Sequence, residues 1–279
     1  MSLDLSTVGY QTEAYEFKYD WKAVALYALG IGGRRDELDY LFEGRGPKVF
    51  PTFAVVPTYP PVGEMLVKTG GDLAMVIHGG QIIRMKRPIP PEGVFATTGT
   101  LKGIYDMKKM AQVILTTNTT VNGEDCFETE WAILIRGAGD FGGSPPPKSD
   151  VPSVPREKKP DFVHEEATLP EQALLYRLSG DLNPLHADPA FAAMVGFPQG
   201  PILHGLCSFG FVARAVIRHV CGGDASKLVA YGAQFRKPVW PGESIRTEIY
   251  ELGGGKVGMQ AYAADRSDPV ISNAWAEIR

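Results

Sequence analysis

Residues 176–211 read YRLSGDLNPLHADPAFAAMVGFPQGPILHGLCSFGF, which sets an acid, a carboxamide and an imidazole within six residues and a helix start close behind them. Gly180 and Pro184 disfavour a regular helix across Gly180-Asp-Leu-Asn-Pro-Leu-His186, so Asp181, Asn183 and His186 are expected on a fixed, irregular turn. Polar side chains held on such a turn can converge on one point. Asp188 reads as an N-cap and Pro189 as the first helical residue, with Ala190 to Val195 the short helix and Gly196 its end. After a second turn, Phe197-Pro-Gln-Gly-Pro201, the chain passes through Ile-Leu-His-Gly205. Leu206, Phe209, Gly210, Ala213, Val216, Ile217 and Val220 then recur at helical spacing. This predicts a buried helix of about four turns. The first turn of a helix has unpaired backbone N–H groups, and glycine at 205 lets a ligand oxygen come close, which suits an oxyanion hole.

The compound pattern Gly180-Asp-x-Asn-Pro-x-His186 with Pro201-Ile-Leu-His-Gly205 downstream closely resembles the signature of hydratase 2. These are the (R)-specific enoyl-CoA hydratases of the MaoC-like hot-dog superfamily, which include the hydratase unit of peroxisomal multifunctional enzyme type 2. One departure is an extra residue in the 197–201 turn. The resemblance implies that Asp181 and His186 hold the catalytic water, that Asn183 supports them, and that the Gly205 amide binds the thioester oxygen. It also implies a CoA ester contact at His78-Gly79 and at Phe235. Lys108 carries over less directly, because Asp106-Met-Lys-Lys109 matches the family lysine with a one-residue shift.

A chain of 279 residues with 44% hydrophobic content suits one large domain or two smaller ones. The net charge of −4, with interspersed signs, offers no basic tract for nucleic acid. No apolar run approaches the roughly 20 residues of a membrane span, and no membrane partner is expected. Cys126, Cys207 and Cys221 are an odd number without Cys-x-x-Cys spacing, which points to reduced thiols. The expected compartment is the cytoplasm, or the peroxisome in a eukaryote, although Glu277-Ile-Arg279 is not a peroxisomal tail.

An internal echo carries the architecture. Lys86-Arg-Pro-Ile-Pro-Pro-Glu-Gly93 is matched by Arg236-Lys-Pro-Val-Trp-Pro-Gly-Glu243, and Trp131-Ala-Ile-Leu-Ile-Arg136 by Trp275-Ala-Glu-Ile-Arg279, in the same order. Between them lie strand-like segments, 95–104 and 111–121 in the first half, 244–252 and 256–264 in the second, with Gly253-Gly-Gly255 as a hairpin turn. Tyr19 to Gly30 predicts a helix capped by Asp20. Val49 to Val56 and Leu73 to Ile77 are short apolar runs, the former suited to crossing the face of a sheet. The fold class is therefore α+β. The resemblance makes it a double hot-dog, two antiparallel sheets each wrapping a central helix, packed as a pseudo-dimer. The expected division is a degenerate half over 1–138, a linker over 139–160 and a catalytic half over 161–279. Aligning Tyr27-Ala-Leu-Gly30 with Tyr176-Arg-Leu-Ser179 sets Ile-Gly-Gly-Arg-Arg opposite the Asp and His, so one half carries the chemistry and the other shapes the pocket.

Bland readings exist for each residue alone. Asp181 could stabilise a turn, and His186, His78 and His204 could be satisfied structural histidines. The joint spacing favours catalysis for the first two. Asp181, His186 and Asp188 could in principle bind a metal, but the intervening Pro and the cap role of Asp188 weaken a convergent triad. Cys207, on the buried helix with no basic partner evident, does not read as a nucleophile. No lead-in strand precedes Ile31-Gly-Gly-Arg-Arg, which argues against a nucleotide loop. The expected reaction is water addition to an enoyl-CoA thioester by a homodimer, with no metal and no cofactor. The competing expectations are thioester hydrolysis and a noncatalytic acyl-CoA or acyl-carrier binding module.

Overall fold

Met110–Val121 alternates strictly, with Ala111, Val113, Leu115, Thr117, Thr119 and Val121 turned inward. Such a period of two gives a strand one buried face. Its threonines pair across the sheet, Thr117 Oγ1 with Thr129 Oγ1 at 2.8 Å and Thr119 Oγ1 with Thr97 Oγ1 at 2.9 Å. The computed structural model describes residues 3–147, 151–152, 154, 157–263 and 266–279.

Ten strands are described: β1 Tyr15–Tyr19, β2 Val76–Met85, β3 Gly93–Asp106, β4 Met110–Val121, β5 Glu124–Arg136, β6 Phe162–Ala167, β7 Leu228–Phe235, β8 Ser244–Gly253, β9 Lys256–Ala263 and β10 Pro269–Ile278. The helices are α1 Trp21–Gly30, α2 Leu38–Leu41, α3 Tyr59–Lys68, α4 Gln172–Tyr176, α5 Pro189–Met194 and α6 Gly205–His219. The strand order is β1-β3-β4-β5-β2-β7-β10-β9-β8-β6, so the second set of five mirrors the first. The two expected antiparallel sheets are joined edge to edge. Gly80 to Arg84 of β2 pairs with Gln234 to Ala230 of β7, making one ten-stranded sheet. The expected hairpin at Gly253-Gly-Gly255 turns β8 into β9, with positive φ at all three glycines. The last residue expected in that strand, Ala264, lies outside the described residues, as do 148–150, 153, 155 and 156 of the expected linker.

Each half wraps a helical segment, as a double hot-dog requires. In the second half this is α6, buried from Leu206 through Ile217. In the first half it is not α1 but a 3-10 segment, Pro51–Thr58, continued by α3. All eight residues of that segment are buried, and it packs on β2, β3 and β5. Helix α1 is capped as expected, with the Asp20 carboxylate accepting from Lys22 and Ala23. It lies against α4.

The described part of the linker is anchored at its start. Asp106 accepts from the amides of Asp140 and Gly142, both at 2.9 Å, and Val154 packs on Gly258 of β9.

A buried ion cluster fixes the loop after α1 to α6. Arg214, 3% exposed, donates to the carboxylates of Glu37 and Glu166 and to the Ile31 carbonyl, and Arg34 also reaches Glu166. Against its burial, His164, the Arg214 guanidinium and Arg34 together hold the Glu166 carboxyl down at about 2.

Candidate active site

The turn from Gly180 to His186 is built by its own side chains. Gly180 takes φ +121°, which glycine alone adopts freely. The Asp181 carboxylate accepts from the Asn183 amide at 3.2 Å, and Asn183 Oδ1 caps the next 3-10 turn through the Leu185 amide at 3.0 Å. That turn, Pro184–His186, carries His186 inward to 8% exposure. Asn183 itself is exposed and acts through the backbone of the loop. Asp188 caps α5 as expected, accepting from Ala190 and Phe191.

The following turn closes with the Gly200 amide on the Phe197 carbonyl, and delivers Ile202 to His186. His186 Nδ1–H donates to the Ile202 carbonyl at 2.8 Å, so the neutral ring directs the lone pair of Nε2 elsewhere. Asp181, His186 and His204 each bring a polar atom into one cluster, all within 4.8 Å of one another. Asp188, spent on its cap, is not among them. The two imidazoles lie face to face, centroids 3.7 Å apart at 28°, so their in-plane lone pairs run side by side rather than toward one cation.

Gly205 is the first residue of α6, and its N–H has no intrahelical partner. A Cβ built there would lie 3.4 Å from the Phe235 ring, so the start of α6 packs beside Phe235. His78 stands one ring further out, edge-on to Phe235 at 4.9 Å and stacked on Trp131 at 4.5 Å. Its Nε2–H donates to the Gly80 carbonyl at 3.0 Å. Gly79 is the residue bulged out of register between β2 and β5, and a side chain there would meet Leu134 at 2.8 Å. The bulge re-aims His78. Lys108 is not brought to this cluster: it is exposed on the β3–β4 hairpin with φ +66°. Reading the sequence missed Tyr59, whose buried hydroxyl has no partner among the described residues and whose ring packs against Gly180 and, edge-on, Trp131. Its position directly after Thr58 on a run of apolar residues hid it.

Burial lowers His78 to about 4 and His204 to about 2. His186 is also lowered, by burial first, with the Asp181 charge and the Ile202 carbonyl opposing. The unfolded chain takes up protons on these rings below about pH 6.5, which the native chain refuses. Stability is therefore full above that pH and falls as pH drops through the folded values. Tm measured against pH should decline below about 6.5, and His78→Gln should flatten part of the slope. An unchanged slope would remove His78 from the account.

A family model for a MaoC like domain matches residues 153–273, and one for the MFE-2 hydratase 2 N-terminal domain matches residues 17–137. A probable enoyl-CoA hydratase 2 of Dictyostelium discoideum is 34% identical, the alignment covering 100% of this chain and 97% of that one. The chain belongs to the MaoC-like hydratase 2 family. A peroxisomal enoyl-CoA hydratase 2 of Arabidopsis thaliana is 38% identical over 94% of this chain and 91% of its own. Among solved structures, a MaoC-like dehydratase from Phytophthora capsici superposes with a TM-score of 0.89 at 29% identity, covering 99% of this chain and 98% of that one. No helix among the described residues is long and apolar enough to cross a membrane.

Proposed function

We propose that this hydratase 2 family member catalyses reversible hydration of trans-2-enoyl-CoA to (3R)-3-hydroxyacyl-CoA in fatty-acyl metabolism. The observation that carries the reading is the meeting of the Asp181–His186 pair with the start of α6 at His204 and Gly205. Water held between the pair gives a proton to His186 Nε2 as its oxygen bonds to C3. Electron density moves to the thioester oxygen, where the Gly205 amide stabilises it, and the coupled pair returns one proton to C2 on the same face. One water is added and no electrons are transferred, so the reaction calls for no redox cofactor, and the Gly205 amide is read as taking the electrophilic role that a metal would otherwise fill. Chiral analysis of the product from crotonyl-CoA tests this: mainly 3R product is expected. Mainly 3S product, or free CoA from thioester hydrolysis, would defeat it.

His78, Gly79 and Phe235 are read as contacts of the CoA ester beside Gly205. Lys108, on its hairpin, is read as a contact for a more distant part of CoA. Phe235→Ala should raise KM about tenfold with little change in kcat, because the ring walls the bound thioester rather than the water. A fall confined to kcat would instead put Phe235 in the chemistry. The same reading divides the chain into a pocket-shaping half (1–138), a linker (139–160) and a catalytic half (161–279). The catalytic residues and α6 all fall in the last. Three buried free thiols suit a reducing compartment, cytoplasm or peroxisome. The homodimer is carried by the resemblance, and sedimentation would decide it.

A further inference from the structure

We propose that His204 is a positioning residue, which ties the Asp181 backbone and the His186 ring to the helix start that presents Gly205. The proposal rests on the hydratase reading. His204 is 1% exposed and stands at the N-cap of α6, yet its side chain caps nothing. Its backbone carbonyl starts the helix, accepting from Cys207 at 3.0 Å and Ser208 at 3.2 Å. Its ring turns back to the catalytic loop, where Nε2–H donates to the Asp181 carbonyl at 3.2 Å. One face lies on His186, and Tyr176 packs against the ring at 4.9 Å. A single residue thus touches both members of the pair and is bonded to the third group.

The second nitrogen shows that this is not mere packing. With Nε2 protonated, Nδ1 is an acceptor, and it is buried with no partner among the described residues. An unmatched buried acceptor is destabilising, and an apolar ring of the same shape would fill the space without that cost. The gain that a phenyl ring cannot give is the bond to Asp181. Burial keeps His204 uncharged, so it holds the loop without opposing the proton that His186 takes up.

The test compares His204→Phe, which keeps the stacked ring, with His204→Gln, whose amide N–H can reach the Asp181 carbonyl. Far-UV circular dichroism checks folding, and binding of a saturated acyl-CoA counts sites, so that kcat is given per competent site. His204→Phe should lose at least about tenfold in kcat on crotonyl-CoA with KM within about twofold, and His204→Gln should recover to within about threefold of wild type. Should the Phe variant not fold, His204→Met replaces it, matching Gln in length and lacking the donor. Wild-type kcat in folded His204→Phe or His204→Met, or a Gln variant no better than they are, overturns the role of His204 alone. A wild-type chain that hydrates no enoyl-CoA overturns the hydratase reading instead.

Discussion

Asp181→Asn should lower kcat for enoyl-CoA hydration by roughly 10²–10⁴-fold, the span of a lost general acid–base group, in a protein that remains folded. Asn keeps an oxygen for the Asn183 amide that the Asp181 carboxylate now accepts, so the loop retains its internal bond and loses only charge and proton capacity. His186→Ala should fall as far, with a larger structural cost, because the Nδ1–H bond to Ile202 and the stack on His204 go with it. The double variant should be little worse than the poorer single one, since two groups acting on one water do not contribute independently. Turnover within a few-fold of wild type in folded Asp181→Asn would remove Asp181 from the chemistry.

Gly205→Pro should lower kcat by roughly 10²–10³-fold, the usual effect of deleting one oxyanion donor. The substitution is unusually clean here. Proline is favoured at the first position of a helix, and the residue before it must be extended, which His204 already is at φ −60° and ψ 136°. The new ring carbon replaces the N–H, and the Cβ lies in ordinary contact with Phe235. Gly205→Ala is the control: it adds the same contact and keeps the amide. A folded Pro variant that matches the Ala variant in kcat would mean that the thioester oxygen is held elsewhere.

Local chemistry made much of the site legible. Asp20 and Asp188 cap the helices that their positions announce, and the turn bearing Asp181 and His186 follows from Gly180 and Pro184. The strands flanking Gly253-Gly-Gly255 follow from alternation and turn residues. The segment at 51–58 did not resolve, because a fully buried apolar run has no period to distinguish strand from helix. Pairing of β2 with β7 was equally hidden, since register between elements far apart in sequence leaves no local mark. Arg214 lay among apolar helix positions, where only its partners Glu37 and Glu166 explain a buried cation. His78 and Phe235 came from resemblance alone and meet in space, whereas Lys108 stands apart on its hairpin.

The joining of β2 to β7 bears on how the molecule avoids sticking to others. A half standing by itself would leave one of these strands as a bare rim, its N–H and C=O groups open to any passing chain. In the fused chain the two rims satisfy each other, and the outermost strands become β1 and β6. Both are short, and both carry exposed charge, Glu16 and Lys18 on one and Glu165 on the other. Covalent linkage of the halves therefore hides the protein's most adhesive backbone in its own middle and leaves guarded margins facing the solvent.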